Sequence, residues 1–262
     1  MSHIFYNVLL IDSASEWNGQ RVNLHIKDGI ITAVEAGKAV QASDTTAATD
    51  CAAQCVSLGW IDMRALLPEP GLEYKETLLH GAKVAQRGGF TDVVLLPNTL
   101  PARQRKHDLA FVRQNQADSP VRLHAMACIT VDTKGQDLTD MIDLHHAGAV
   151  AFSDGNVPIV HTGILMKTLQ YLQHFDGLLI QRPEDTLLTQ HGVMHEGIQS
   201  TLLGLKGMPS LAETLCIQRD LQLLAYAGGR LHFSLVSCAE SVALIREAKK
   251  NGLAITLSLI HI

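Results

Sequence analysis

The chain has 262 residues, of which 47% are hydrophobic and 18% charged, and its formal charge is −5. This length and composition exclude a disordered chain and predict one large domain plus a smaller one. Without a Lys/Arg block, the negative charge favours neither nucleic acid nor an anionic membrane surface as a partner. No apolar stretch reaches the roughly 20 residues of a membrane span, and no signal peptide is recognisable, so we expect a soluble, cytoplasmic protein.

Residues 1–57 predict a small β-subdomain. The stretches FYNVLLID (5–12) and RVNLHIKDGIITAVEAG (21–37) alternate apolar and polar residues, as half-buried strands do. Lys27-Asp28-Gly29 is a tight hairpin signal. Residues 38–54 are weakly patterned and indicate a loop or an edge strand.

From residue 58 onwards, apolar strands alternate with amphipathic helices. The predicted strands cover residues 58–63, 91–98, 121–130, 147–154, 177–183, 230–237 and 253–260. The predicted helices cover residues 74–89, 106–118, 138–148, 163–175, 210–229 and 238–252. This order predicts an α/β fold with a parallel sheet that is covered by helices.

A (β/α)₈ (TIM) barrel fits the strand spacing better than a doubly wound sheet, because no Gly-rich phosphate loop follows any strand. Such a barrel needs eight strands, and residues 58–262 supply seven. The predicted barrel is therefore truncated after strand seven, with a closed (β/α)₇ arrangement as the alternative. In a truncated barrel we expect a partner or a second copy to cover the unpaired strand edges.

The carboxyl ends of the strands are where such barrels carry their chemistry. A hydrolytic metal site needs imidazoles and carboxylates that converge on one point. Here Asp154 is a good carboxylate, and Glu184 and Asp185 lie on a turn, but no strand ends in a histidine. His124 and His232 lie in the middle of strands and are interpreted as structural, hydrogen-bonded residues. The five cysteines are scattered and are predicted to be reduced thiols without a metal.

Two arginines, Arg64 and Arg182, occupy strand ends and need partners, because an unpaired buried charge is costly. One interpretation makes them structural fillers that pair with Asp154 or Glu184, and we favour it. The other makes them an anion-binding pocket, since paired guanidinium groups suit carboxylate or phosphate.

Four stretches (residues 59–101, 147–155, 191–214 and 228–249) together resemble the dihydroorotases of the amidohydrolase superfamily. The chain looks most like the class that works in complex with aspartate transcarbamoylase. The resemblance implies a barrel with a small β-subdomain. It also implies the interconversion of carbamoyl aspartate and dihydroorotate in pyrimidine biosynthesis, with zinc-bound hydroxide as nucleophile and a strand-eight aspartate that would follow residue 262.

The implied zinc ligands are largely replaced. In the strand-one motif His-x-His-x-Arg-Glu-Pro-Gly, the histidines and the arginine are replaced, while Glu69-Pro70-Gly71 remain. Asp154 matches the first aspartate of the strand-four motif, and Asn98 matches a residue that holds the substrate carboxylate. The replaced positions, in chain order, hold Arg64, Leu66, Pro68, Arg182 and Leu235.

Arginine and leucine offer zinc no lone pair, so we expect no metal, no cofactor and no catalytic residue. The leading hypothesis is a dihydroorotase-like pseudoenzyme with a structural role alongside aspartate transcarbamoylase, and with homo-oligomerisation as a further possibility. The alternative is an active zinc-dependent dihydroorotase or cyclic amidohydrolase, with a relocated site built from Asn98, Asp154, Glu184 and Asp185. A third hypothesis is that the protein is a sensor, which binds a carboxylate metabolite through Arg64, Arg182 and Asn98.

Overall fold

The computed structural model describes residues 2–37 and 46–259, and a small β-sheet lies within its first described residues, up to Ser57. The strands of this sheet are β1 (Ser2–Ile11), β2 (Arg21–Lys27), β3 (Ile30–Ala36), β4 (Thr46–Asp50) and β5 (Cys55–Ser57). The neighbours β1–β2 and β2–β3 are antiparallel, while β4 and β5 each run parallel to β1. Val8, Val22, Leu24 and Cys51 form its core.

The predicted hairpin is confirmed, because Lys27 pairs with Ile30 across a turn in which Asp28 and Gly29 have positive φ angles. Of the weakly patterned stretch, residues 38–45 lie outside the described residues. The following residues form β4, which is the last strand in the sheet order β3-β2-β1-β4. The unit containing this sheet comprises Met1–Trp60, and a second unit comprises Ile61–Ile262.

From Trp60 onwards, strands alternate with helices. In chain order they are β6 (Trp60–Ala65), α1 (Leu78–Arg87), β7 (Phe90–Leu95), α2 (Lys106–Asn115), β8 (Arg122–Ala127), α3 (Met141–His146), β9 (Ala149–Phe152), α4 (Thr162–Leu172), β10 (Leu178–Gln181), α5 (Thr186–Thr189), β11 (Met194–His195), α6 (Ile198–Leu202), β12 (Gly207–Met208), α7 (Leu211–Ala227), β13 (Arg230–Val236), α8 (Ala239–Lys250) and β14 (Ile255–Leu259). Short 3₁₀ turns lie at Gln116–Asp118, Val131–Thr133 and Gln173–Phe175.

The main sheet has seven strands in the order β14-β13-β10-β9-β8-β7-β6. The pairs from β7 through to β14 are parallel, which confirms the predicted barrel-type sheet truncated after the seventh strand. Among the described strands, β6 and β14 are the two ends of this order. The parallel strands from β7 to β14 carry their carboxyl ends to the same edge, so residues that are distant in sequence meet there.

The sheet is apolar on both faces, as expected for parallel strands. Val93 and Leu95 belong to the large core that the helices cover, whereas Val94 and Leu96 belong to a smaller cluster with Met126. Since neighbouring residues of a strand point to opposite faces, this smaller cluster lies on the face away from the helices.

All six predicted helices are confirmed, as α1, α2, α3, α4, α7 and α8. The sequence did not predict the short elements α5, β11, α6 and β12, because elements of one turn or two residues carry no measurable periodicity. Within the described ranges, no helix is both long enough and apolar enough to cross a membrane.

Candidate functional site

The ends of β6 and β10 are brought together by Asn156, which follows β9. The Arg64 Nη2 donates to Asn156 Oδ1 at 2.7 Å, and the Arg182 Nη1 donates to the backbone oxygen of the same residue at 3.1 Å. Three strands separate β6 from β10 in the sheet, so this meeting requires a sheet that curves as in a barrel. The two arginines that were singled out from the sequence are therefore neighbours.

Arg182 has the carboxylate partner that was predicted for it. Its Nη2 forms an ion pair with Glu184 Oε2, and the other carboxylate oxygen of Glu184 accepts a hydrogen bond from the Thr189 hydroxyl at 2.7 Å. This confirms the predicted pairing with Glu184. Asp185, the second acid of the turn, instead caps α5 by accepting from the backbone N–H of Leu187 at 2.9 Å.

Asp154 pairs with neither arginine, and Arg64 forms no ion pair with a carboxylate among the described residues, so the predicted pairing is wrong for Arg64. The side chain of Asp154 is buried, and its Oδ1 accepts from the backbone N–H groups of Ile129 and Thr130, both at 2.9 Å. The Thr130 hydroxyl donates to Oδ2. Burial raises the pKa of Asp154, and these three hydrogen bonds oppose the rise. The carboxylate thus joins the ends of the neighbouring strands β8 and β9.

Asn98 holds the loop that follows β9. Its Nδ2 donates to the backbone oxygen of Asp154 at 3.1 Å, and its Oδ1 accepts from the backbone N–H of Asn156 at 2.9 Å. Gly155, between them, has φ +63°, and a Cβ there would lie 1.8 Å from Asn98 Oδ1. Only glycine fits at this position. The substrate-binding role implied for Asn98 stays a prediction.

The retained part of the strand-one motif has a packing role. Glu69 Oε2 accepts from the backbone N–H of Leu78 at 2.6 Å, which satisfies a free donor at the start of α1. Gly71 has φ +104°, and a Cβ there would lie 2.2 Å from the backbone oxygen of Leu100. Leu66, at one of the histidine-equivalent positions, is 46% exposed, and Pro68 is buried.

Leu235, at the end of β13, has an unusual backbone conformation. Its φ angle is +62°, in the left-handed region that side chains other than glycine rarely adopt. The pairing of β13 with β14 changes register between Phe233 and Val236, so the strand end is irregular at this residue. Backbone strain of this kind costs about 1–3 kcal/mol and is typical of functional sites.

We expect Leu235→Asn to keep or slightly raise stability, because asparagine tolerates the left-handed region. Leu235→Val is expected to lower the free energy of unfolding by about 1–2 kcal/mol, since a β-branched residue is a strong outlier there. Urea unfolding of both variants measures the difference. Equal stabilities of the two variants would contradict a strained backbone at Leu235.

The two mid-strand histidines are hydrogen-bonded structural residues, as predicted. His124 Nε2 lies 2.8 Å from Asp92 Oδ1, and His232 Nδ1 lies 2.8 Å from the Thr256 hydroxyl oxygen. Burial lowers the pKa of His232 to about 4, which keeps its ring neutral. The five cysteines are free thiols, also as predicted.

A cavity of about 460 Å³ opens beside Arg182 and Leu235. Its other walls include Glu184 and three residues that were not named as candidate site residues, His195, Met208 and Glu213. Glu213 accepts from the backbone N–H of Ser237 at 3.0 Å and of Cys238 at 3.1 Å, and so holds the start of α8. His195 and Met208 belong to the two-residue strands β11 and β12, which are too short to show a period in the sequence.

In the part of the chain that the structure describes, no three His, Cys, Asp or Glu side chains are grouped so that they could hold one metal ion. The side chains at the strand ends instead form a network of guanidinium groups, amides and hydrogen-bonded carboxylates. This network fixes the loop after β9 and the guanidinium groups of Arg64 and Arg182.

Residues 54–241, which include these strand ends, match a family model described as dihydro-orotase-like. The chain belongs to this dihydroorotase-like family. It is 42% identical to the dihydroorotase of Pelotomaculum thermopropionicum over 207 residues, which are 79% of this chain and 48% of that protein. It is 37% identical to the dihydroorotase of Chlorobaculum tepidum over 267 residues, which cover 98% of this chain and 61% of that protein.

Solved structures of hydantoinases share the fold. L-hydantoinase (dihydropyrimidinase) from Arthrobacter aurescens superimposes with a TM-score of 0.77 at 21% identity, over 98% of this chain and 58% of that chain. At this identity the likeness concerns the fold alone. The chain spans about half to three fifths of the length of these curated dihydroorotases.

Proposed function

We propose that this dihydroorotase-like chain is non-catalytic, and that it keeps the family scaffold for a structural role in pyrimidine biosynthesis. One observation carries the proposal: the side chains at the ligand-equivalent strand ends offer no set of lone pairs to a metal. Arg64 and Arg182 are hydrogen-bonded to Asn156, and both oxygens of Asp154 are bonded to the end of β8. Leu66 and Leu235 have no donor atoms.

Zinc does not fit this set of residues. Zinc in a hydrolase is held by imidazole, carboxylate or thiolate groups, and it lowers the pKa of a bound water to about 7. A permanently protonated guanidinium repels the cation and donates no electron pair. Without a metal, no group at these strand ends is placed to make hydroxide near neutral pH.

A relocated active site is less well supported. The four residues that it would use are Asn98, Asp154, Glu184 and Asp185. Each is engaged in a hydrogen bond or ion pair that holds a loop or a helix end. A general base or a ligand must aim a lone pair at its target, and the partners found for these side chains are all groups of the protein itself.

The structural role that we propose is the support of aspartate transcarbamoylase. The chain resembles the dihydroorotase class that works in complex with that enzyme, and Glu69, Gly71 and Asn98 keep the packing of the scaffold. Sedimentation of the natural full-length protein with aspartate transcarbamoylase tests this, and it also reports the protein's own oligomeric state. We expect a complex at micromolar concentration; separate sedimentation of the two proteins would overturn the partnership.

Metal content and turnover test the loss of catalysis. We expect the purified protein to contain far less than one zinc per chain by elemental analysis, because the ligand-equivalent residues cannot hold zinc. We also expect no turnover of dihydroorotate with added zinc. The dihydroorotase of Chlorobaculum tepidum, purified in the same way, is the positive control. One zinc per chain together with turnover of dihydroorotate would refute the proposal.

A further inference from the structure

The guanidinium group of Arg64 uses only one of its three nitrogen atoms in hydrogen bonds to the described residues of the protein. The side chain is half-buried, and its Nη2 donates to Asn156 Oδ1 at 2.7 Å and more weakly to the Gly155 oxygen at 3.5 Å. Within residues 2–37 and 46–259, neither its Nε nor its Nη1 has an acceptor, and no carboxylate forms an ion pair with it. A guanidinium group carries five N–H donors, so most of its donor capacity is unused.

The electrostatic surroundings of Arg64 are positive. Burial lowers its pKa, and the nearby Arg182 cation lowers the pKa more than the Asp62 carboxylate raises it. Asp62 is engaged with the backbone, where its Oδ1 accepts from the Arg64 N–H at 2.8 Å. Glu184 is shared between Arg182, with which it forms an ion pair, and the Thr189 hydroxyl.

We propose that this strand-end site binds a small oxyanion through the guanidinium groups of Arg64 and Arg182. The inference rests on the proposed loss of the metal, because a dication could not occupy the same place. The ligand chemistry is a carboxylate or phosphate group, which a planar guanidinium group binds through two parallel N–H donors. The cavity beside Arg182 has room for the rest of a small molecule that carries the anion.

Calorimetric titration of the purified protein tests the inference. Inorganic phosphate and malonate are titrated separately, against sodium chloride of equal ionic strength, so that a tetrahedral and a planar anion are compared. We expect saturable binding of one or both, and no heat of binding with chloride. Arg64→Met is expected to weaken the binding at least about tenfold, because it removes the guanidinium group that has no competing carboxylate.

Two further variants keep the test falsifiable. Arg246→Met removes an exposed arginine on α8, with the same change in net charge, and is expected to leave binding unchanged. Arg64→Lys retains the charge but not the planar fork, and is expected to weaken binding less than Arg64→Met does. Circular dichroism checks that each variant is folded.

The inference is overturned if neither anion binds, or if Arg64→Met and Arg246→Met bind equally well. Zinc is measured on the same preparation, which separates the two hypotheses. Zinc-free protein that binds no anion refutes only the oxyanion site. Protein with stoichiometric zinc at these strand ends refutes the proposed loss of catalysis as well.

Discussion

Asp154→Ala is expected to lower the free energy of unfolding by about 3–4 kcal/mol, whereas Asp154→Asn is expected to change it by less than about 1 kcal/mol. Alanine leaves the buried N–H groups of Ile129 and Thr130 without their acceptor, at about 1–3 kcal/mol each. Asparagine keeps an oxygen that accepts from both. Its amide nitrogen can donate to the Thr130 hydroxyl, which is able both to donate and to accept.

Urea unfolding followed by far-UV circular dichroism measures both changes, since all described helices lie in the larger unit. Asp137→Ala, at an exposed carboxylate in the same loop region, is the control and is expected to have little effect. If asparagine were as damaging as alanine, the negative charge itself would be required. That result would favour a bound cation, and added zinc would then stabilise the wild type but not the Asn variant.

The sheet and the long helices could be predicted from the sequence, because each repeats a clear period over many residues. The run TDVVLLPN predicted β7, and residues 210–229 predicted α7 with Gly228 at its end. The strand ends followed from the topology, since parallel strands carry their carboxyl ends to one edge. Sequence reasoning therefore identified Arg64, Asp154 and Arg182 as residues of one site.

What the sequence could not provide was the partner of each side chain. Asp154 and the arginines lie at the same edge, and charge alone favoured pairing them. In the structure the carboxylate accepts hydrogen bonds from the buried N–H groups after β8. Without this acceptor, nothing would compensate for the removal of these N–H groups from water. Asn156 accepts hydrogen bonds from both arginines, from Arg64 through its side-chain oxygen and from Arg182 through its backbone oxygen. Nothing in its sequence setting distinguishes it from an ordinary loop asparagine.

A second buried carboxylate lies behind the strand ends, on α7. Asp220 is fully buried, and its Oδ1 accepts from Arg219 Nε at 2.7 Å. The same arginine donates to the backbone oxygens of Val160 at 2.8 Å and Ile159 at 2.9 Å, and so ties α7 to the loop before α4. Burial outweighs the attraction of Arg219 and the hydrogen bonds from Arg219 and Gln181, and it raises the pKa of Asp220 to about 6.

This pKa sets the sign of a pH dependence. The pKa of Asp220 is higher in the folded chain than its ordinary value of 3.8, so folding favours the protonated form. The stabilisation is complete below about pH 4 and is lost as the pH rises towards 6, with a change of about 3 kcal/mol. Asp220→Asn has no proton to lose, and we expect it to be more stable than the wild type by about 2 kcal/mol near pH 7.

Urea unfolding from pH 4 to pH 7 measures this difference, which should shrink towards zero at the acid end because both side chains are then neutral. Asp176→Asn is the matched control: Asp176 also pairs with an arginine, Arg230 at 3.1 Å, but its side chain is 82% exposed. Exposed ion pairs contribute little, so this variant should follow the wild type across the range. A stability of Asp220→Asn that lies below the wild type near pH 7 would mean that the Arg219 pairing outweighs the cost of burying the charge.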